Sequence, residues 1–184
     1  MDTKFNYNKP GKVEPVRIEQ VFAEKPGGGL VKSREDGPIL PTTAVGADGG
    51  KFKPIKAYRL VKAVAADDTK IQIEKESGVA VGDIIATGKK GVACTAVDSS
   101  KEGYDEVTVT LGVVVSKGEC LYQAKAASGE AAEPALTPLY VTGNRIPANH
   151  GDFPVRLING ANLRKETACI ASEVAALLPT INLV

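Results

Sequence analysis

The only histidine of the chain lies two residues before an aspartate, a spacing that could support nucleophilic catalysis. His150 would act as a general base, Asp152 would orient its ring, and a serine or a cysteine would attack the substrate. The three cysteines are Cys94, Cys120 and Cys169. No nucleophile elbow or other flanking motif presents a nucleophile to this pair. We therefore interpret His150 as a turn residue and predict no catalytic residue.

The acidic residues of the central segment raise a second possibility, hydrolysis by a pair of carboxylates. A sugar-binding cleft needs aromatic rings, and this chain has no tryptophan, four phenylalanines and five tyrosines. The acidic residues fall in predicted turns and on predicted solvent faces, which favours a structural role, but the sequence leaves paired-carboxylate chemistry open. They are Asp67, Asp68, Glu74, Glu76, Asp83, Asp105 and Glu106.

No pattern in the sequence is typical of a metal or cofactor site. The cysteines are odd in number and far apart, so we predict small buried side chains in a reducing compartment and no disulfide. The spacing of an EF-hand is absent. The glycine run at 27–29 lacks the Lys-Ser/Thr pair and the following helix of a phosphate-binding loop, so we interpret it as a turn or linker.

Composition narrows the classes of partner. The chain has 184 residues, enough for one or at most two domains, with 23 basic and 22 acidic residues. This balance argues against a general nucleic-acid or polybasic membrane surface. The first residues contain no apolar signal-peptide core, and no apolar run approaches the ~20 residues of a membrane span. We expect a protein made in a cytoplasm, with no nucleic-acid or membrane partner.

The central segment, residues 55–127, reads as one short strand after another. Apolar or alternating runs are separated by turn clusters, and no proline lies between Ile55 and Glu133. This spacing predicts a mainly β protein built on a small antiparallel β-barrel or sandwich. Gly82-Asp83 is interpreted as a barrel corner, where Asp83 bonds its own loop. The predicted inward residues are Ile71, Ile73, Ile84, Val107 and Val109.

The flanking segments carry the predicted interfaces. Residues 1–54 contain six prolines and eight glycines, which predicts an extended arm that orders on a partner surface, with Phe5, Tyr7 and Phe22 as anchors. Residues 128–184 are predicted to contain strands and one C-terminal helix. Its apolar stripe runs from Leu163 to Leu178 and Pro179 ends it. We expect this stripe to pack between protomers, through Leu163, Ile170, Val174 and Leu177.

The central segment contains a series of strand-like runs and corners. The runs are 56–61, 71–73, Val79 to Ile85 with its Val81-Gly82-Asp83 corner, Thr95 to Ser100, Tyr104 to Val109, and Leu121-Tyr122-Gln123-Ala124. Together they resemble tailed-phage head fibre and capsid-decoration proteins. In that family a Val-Gly-Asp corner precedes a strand, an Asp-rich turn and a final strand with an apolar–aromatic pair. The resemblance spans residues 56–124 and lacks any catalytic signature.

The resemblance implies a non-enzymatic structural protein on the capsid surface of a virion, made in the host cytoplasm. It implies binding to a major capsid protein and assembly into a closed homo-oligomer, a trimer ahead of a dimer. The arm and the C-terminal helix lie outside it. Two alternatives from other classes stay open: a β module that binds a ligand such as a host glycan, and a small hydrolase.

Overall fold

The computed structural model describes residues 14–184 and shows a mainly β protein. Strands account for 42% of the residues and helix for 2%, which confirms the predicted mainly β fold class with one C-terminal helix. No helix in the described part of the chain has the length and apolar character needed to cross a bilayer. In chain order the elements are β1 (Ile18–Glu24), β2 (Gly29–Lys32), β3 (Ala44–Asp48), β4 (Lys51–Pro54), β5 (Ala57–Arg59), β6 (Lys70–Ile73), β7 (Ile84–Ala86), β8 (Gly91–Ala93), β9 (Ala96–Asp98), β10 (Asp105–Thr108), β11 (Cys120–Gln123), β12 (Pro138–Thr142), β13 (Asp152–Val155), β14 (Leu157–Leu163), α1 (Ser172–Ala175) and β15 (Ile181–Leu183).

The largest sheet combines the two ends of the described chain. Its order is β1-β14-β12-β3-β4-β2-β13, and β15 pairs in parallel with β14. Residues 25–28 join β1 to β2, and Arg156 alone joins β13 to β14. Because β1 pairs with β14 and β2 with β13, these strands form one interrupted antiparallel ribbon along two sides of the sheet. The sheet therefore curls into half a barrel. Its interior holds Val31, Ile39, Val45, Ile146, Val155 and Leu157, with Phe52, Tyr140 and Phe153 beside them.

The central segment forms a second unit, inserted between β4 and β12. One sheet has the order β6-β10-β9 and the other β5-β11-β7-β8. They enclose a core made by Tyr58, Leu60, Val64, Ile71, Ile73, Ile85, Cys94, Val107, Val109, Leu111 and Leu121. The predicted inward positions are confirmed for Ile71, Ile73, Val107 and Val109, whereas Ile84 is half-buried.

A third apolar cluster joins the two units. Tyr122 and Ala86 of the inserted unit pack in one cluster with Ile158, Leu163 and Val174 of the large sheet and its C-terminal extension. The hydroxyl of Tyr122 is also satisfied inside this cluster, since it donates to the carbonyl oxygen of Ala132 at 2.6 Å. Shared burial of this kind stabilises both units together.

Buried Arg59 reinforces this junction with hydrogen bonds. It is 7% exposed at the end of β5. Its guanidinium donates to the carbonyl oxygens of Gly118 at 2.5 Å, Lys165 at 3.2 Å and Ala168. The acceptors thus include two carbonyls of the C-terminal segment, so one side chain ties the inserted unit to the large sheet.

The prediction that residues 1–54 form an extended arm is wrong for residues 18–54. They supply β1 to β4 of the large sheet, and so belong to the same unit as residues 134–184. Their prolines and glycines lie in turns, bends and loops or at strand ends, except for Gly46 within β3. Gly27 and Gly28 connect β1 to β2, and Gly49 and Gly50 close the β3–β4 hairpin, all four with φ between 57° and 84°. Glycine adopts this left-handed backbone without the steric cost of a Cβ.

The predicted helix from Leu163 to Leu178 is much shorter than its apolar stripe. Leu163 ends β14, and only Ser172–Ala175 is helical. A helical turn does begin where the N–H of Ala168 bonds to the carbonyl of Arg164, but the N–H of Cys169 donates instead to the hydroxyl of Thr42 at 2.7 Å. A tertiary hydrogen bond therefore interrupts the helical hydrogen bonding. Leu163, Ile170, Val174 and Leu178 of the stripe are buried, whereas Leu177 is exposed.

Candidate interaction surface

Strand β1 presents an edge of the large sheet. It pairs with β14 on one side, and within residues 14–184 no strand pairs with its other side. The ladder is irregular at three points, after Ile18, Val21 and Ala23. Such bulges twist an edge and expose side chains that a regular strand would turn inward. An unpaired edge leaves backbone donors and acceptors available to another chain.

Phe22 lies at one of these irregularities and is 53% exposed. One edge of its ring lies against Gly160 of β14, where an added Cβ would come within 2.9 Å of two ring carbons. Gly160 therefore leaves room for the ring beside β14, while about half of the residue remains exposed. An exposed aromatic ring held in a fixed position is the kind of side chain that dominates binding energy at protein interfaces.

Two ion pairs hold β1 in place beside Phe22. Arg156 donates through Nε to Glu24 at 2.8 Å, and Arg164 donates through Nε to Glu19 at 2.6 Å. The hydrogen bond from Arg156 lowers the pKa of Glu24 below its ordinary value. Because both pairs are solvent-exposed, they add little to the free energy of unfolding. Their main effect is to fix the position of β1 relative to β14.

The other predicted interface residues divide into three groups. Leu177, just after α1, is 54% exposed and remains a surface candidate. Leu163, Ile170 and Val174 are at most 3% exposed and pack in the cluster that joins the two units, so the prediction that they pack between protomers is wrong. Phe5 and Tyr7 lie outside the described residues.

The Val81-Gly82-Asp83 corner is held by its aspartate. The Asp83 carboxylate accepts hydrogen bonds from the backbone N–H of Ala80 at 2.9 Å and from the hydroxyl of Tyr58 at 3.0 Å. It also accepts from Lys56 Nζ at 2.9 Å. Burial, followed by the adjacent Asp83 charge, raises the pKa of Tyr58, which keeps its hydroxyl protonated as the donor. The prediction that Asp83 bonds its own loop is confirmed, and the same carboxylate fixes the corner to β5.

The residues considered for catalysis include His150 and the three cysteines. His150 is exposed, and its contact with Ser33 runs from its backbone N–H to the serine hydroxyl at 3.0 Å, so it does not involve the imidazole. The ring packs edge-on against Phe153 with centroids 5.9 Å apart. The three cysteines are free thiols. Burial raises the pKa of each, to about 12 for Cys120, which disfavours the reactive thiolate.

Comparisons of this chain with protein families, with curated proteins and with solved structures found no match.

Proposed function

We propose that this protein is a structural component of a tailed-phage virion that decorates the head. The observation that carries the proposal is the Val81-Gly82-Asp83 corner within the run of strands that resembles head fibre and decoration proteins. Asp83 accepts hydrogen bonds from its own loop and from β5. The corner is thus a rigid structural feature of the inserted unit. A motif that recurs in a family of structural proteins is expected to have such a role.

The architecture supports the same proposal. Two β units share one apolar cluster and a buried arginine, which suits a protein that must stay folded while attached to a particle. The aromatic side chains of the inserted unit give no support to the glycan-binding alternative, because Tyr58 and Tyr122 are buried and Tyr104 is half-buried. Sugar-binding faces depend on exposed rings.

Attachment to the major capsid protein is assigned in this proposal to the β1 edge and Phe22. Assembly into a closed homo-oligomer, a trimer ahead of a dimer, belongs to the same proposal and rests on the family resemblance. The exposed ring and the open strand edge lie on the same element, so one partner surface can engage both.

We expect the Phe22→Ser variant to bind at least tenfold more weakly than the wild-type protein to heads that lack the protein. This corresponds to a loss of about 1.4–2 kcal/mol of binding free energy. The reason is the loss of an exposed aromatic anchor, and the measurement is co-sedimentation of purified protein with the heads. Val114→Ser is the matched control, because Val114 is 78% exposed on the inserted unit. Equal binding by Phe22→Ser and the wild-type protein would place attachment on another surface.

A further inference from the structure

Two lysines lie side by side on the large sheet. Val31 of β2 is paired with Phe52 of β4 in a parallel ladder, and Lys32 and Lys53 each follow by one residue. Both lysines are exposed, on the opposite face of their strands from Val31 and Phe52. Like charges at neighbouring positions of adjacent strands repel and destabilise the sheet.

The acidic residue opposite Lys32 is already engaged by another lysine. Asp152 is opposite Lys32 in the β2–β13 ladder, but its carboxylate accepts a hydrogen bond from Lys51 Nζ at 2.5 Å. Among residues 14–184, neither Lys32 nor Lys53 forms an ion pair with a carboxylate, whereas Lys51, Lys56, Lys70 and Lys75 do.

The two lysines line an open groove of about 440 Å³ at the junction of the two units. Arg34 and Lys56 also line it, and the acidic residues there are Glu35 and Asp36. Asp36 is already engaged, because its carboxylate lies 3.2 Å from Arg34 Nε and 3.1 Å from Lys56 Nζ. The groove therefore has an excess of positive charge, since four basic residues line it against two acidic ones. Lys32 and Lys53 are the two basic residues there that form no ion pair within residues 14–184.

The other wall of the groove is fixed in place. The Arg34 guanidinium donates to the carbonyl oxygens of Ser77 at 2.7 Å, Glu76 at 2.9 Å and Pro38 at 2.7 Å. These bonds clamp the 34–38 loop to the inserted unit. The groove is therefore preformed, so little free energy is needed to reorganise it when a ligand binds.

We propose that this groove binds an acidic segment of a partner protein, with Lys32 and Lys53 holding its carboxylates. The proposal is independent of the phage assignment, because it rests only on the uncompensated charge and the groove. A nucleic acid fits less well, because two lysines would neutralise few phosphates and the chain carries a net charge of only +1.

The test is a calorimetric titration with a glutamate oligopeptide at low salt. The wild-type protein is expected to bind it, and Lys32→Gln/Lys53→Gln is expected to bind about tenfold more weakly or not at all. High salt should weaken wild-type binding. The control is Lys62→Gln/Lys117→Gln, which removes two exposed lysines of the inserted unit and should bind as the wild type does.

A second readout detects the repulsion without a ligand. At low salt Lys53→Gln should raise the Tm, and it should have no such effect in a Lys32→Gln background. The proposal is overturned if the wild-type protein does not bind the glutamate peptide, or if the groove and control double variants bind it equally. Equal or tighter binding of a thymidine oligonucleotide of the same charge would also overturn it, in favour of a nucleic-acid site.

Discussion

Removal of residues 1–50 is expected to unfold the large sheet, including strands far away in sequence. The truncation deletes β1, β2 and β3, and these are partners of β14, β13 and β12. The 134–184 segment would then lack most of its ladder partners, and its buried residues would be exposed. Burial of apolar surface is the main stabilising term in folding, and its loss on this scale exceeds the marginal stability of a domain.

The measurement is thermal unfolding followed by circular dichroism, together with a proton–nitrogen NMR spectrum. The truncated protein should lose the cooperative transition and the dispersed amide signals of residues 134–184. A shorter truncation that begins at Glu14 retains every described strand and should keep a cooperative transition. A cooperative, fully dispersed protein after removal of residues 1–50 would contradict the single large sheet.

Replacement of Arg59 by methionine is expected to lower the free energy of unfolding by about 2–5 kcal/mol. Methionine keeps the apolar stem but leaves the carbonyl oxygens of Gly118, Lys165 and Ala168 without their donor in the buried junction. A buried acceptor that loses its partner incurs its full desolvation penalty. Chemical denaturation by urea measures the change.

Arg59→Lys is the matched control for this variant. Lysine keeps the positive charge but lacks the planar guanidinium group that donates to three carbonyl oxygens. We therefore expect a loss of stability between that of the wild-type protein and that of Arg59→Met. Arg164→Met removes an exposed arginine from an ion pair with Glu19 and should have a small effect. A fully stable Arg59→Met variant would show that the apolar cluster alone holds the two units together.

The inserted unit was predictable from sequence because its signals are local. Alternation in Lys70-Ile71-Gln72-Ile73 identifies β6 and its buried face, and turn residues mark its neighbours. The same two-residue alternation exists in Lys51-Phe52-Lys53 and could have identified β4, whereas in β2 Leu30 and Val31 are both apolar although only Val31 is buried. The many prolines and glycines around these short runs favoured the prediction of an extended arm over the prediction of strands. In the structure most of those residues connect the strands.

The remaining features depend on contacts between distant parts of the chain. Thr42 is fully buried with a φ of 71°, a conformation that is rare for a β-branched residue. Its N–H donates to the carbonyl of Thr142 at 2.7 Å, and its hydroxyl accepts from the Cys169 N–H. No periodicity in the sequence encodes these pairings, so the division into two units and the length of α1 could be read only from the structure.

Electron cryomicroscopy of heads assembled with and without this protein tests the proposed function most directly. The decoration account predicts additional density at symmetry-related positions on the outer surface of the head, present only when the protein is supplied. The two β units should fit into that density with the β1 edge and Phe22 against the major capsid protein. Identical maps with and without the protein, at saturating concentration, would contradict the account.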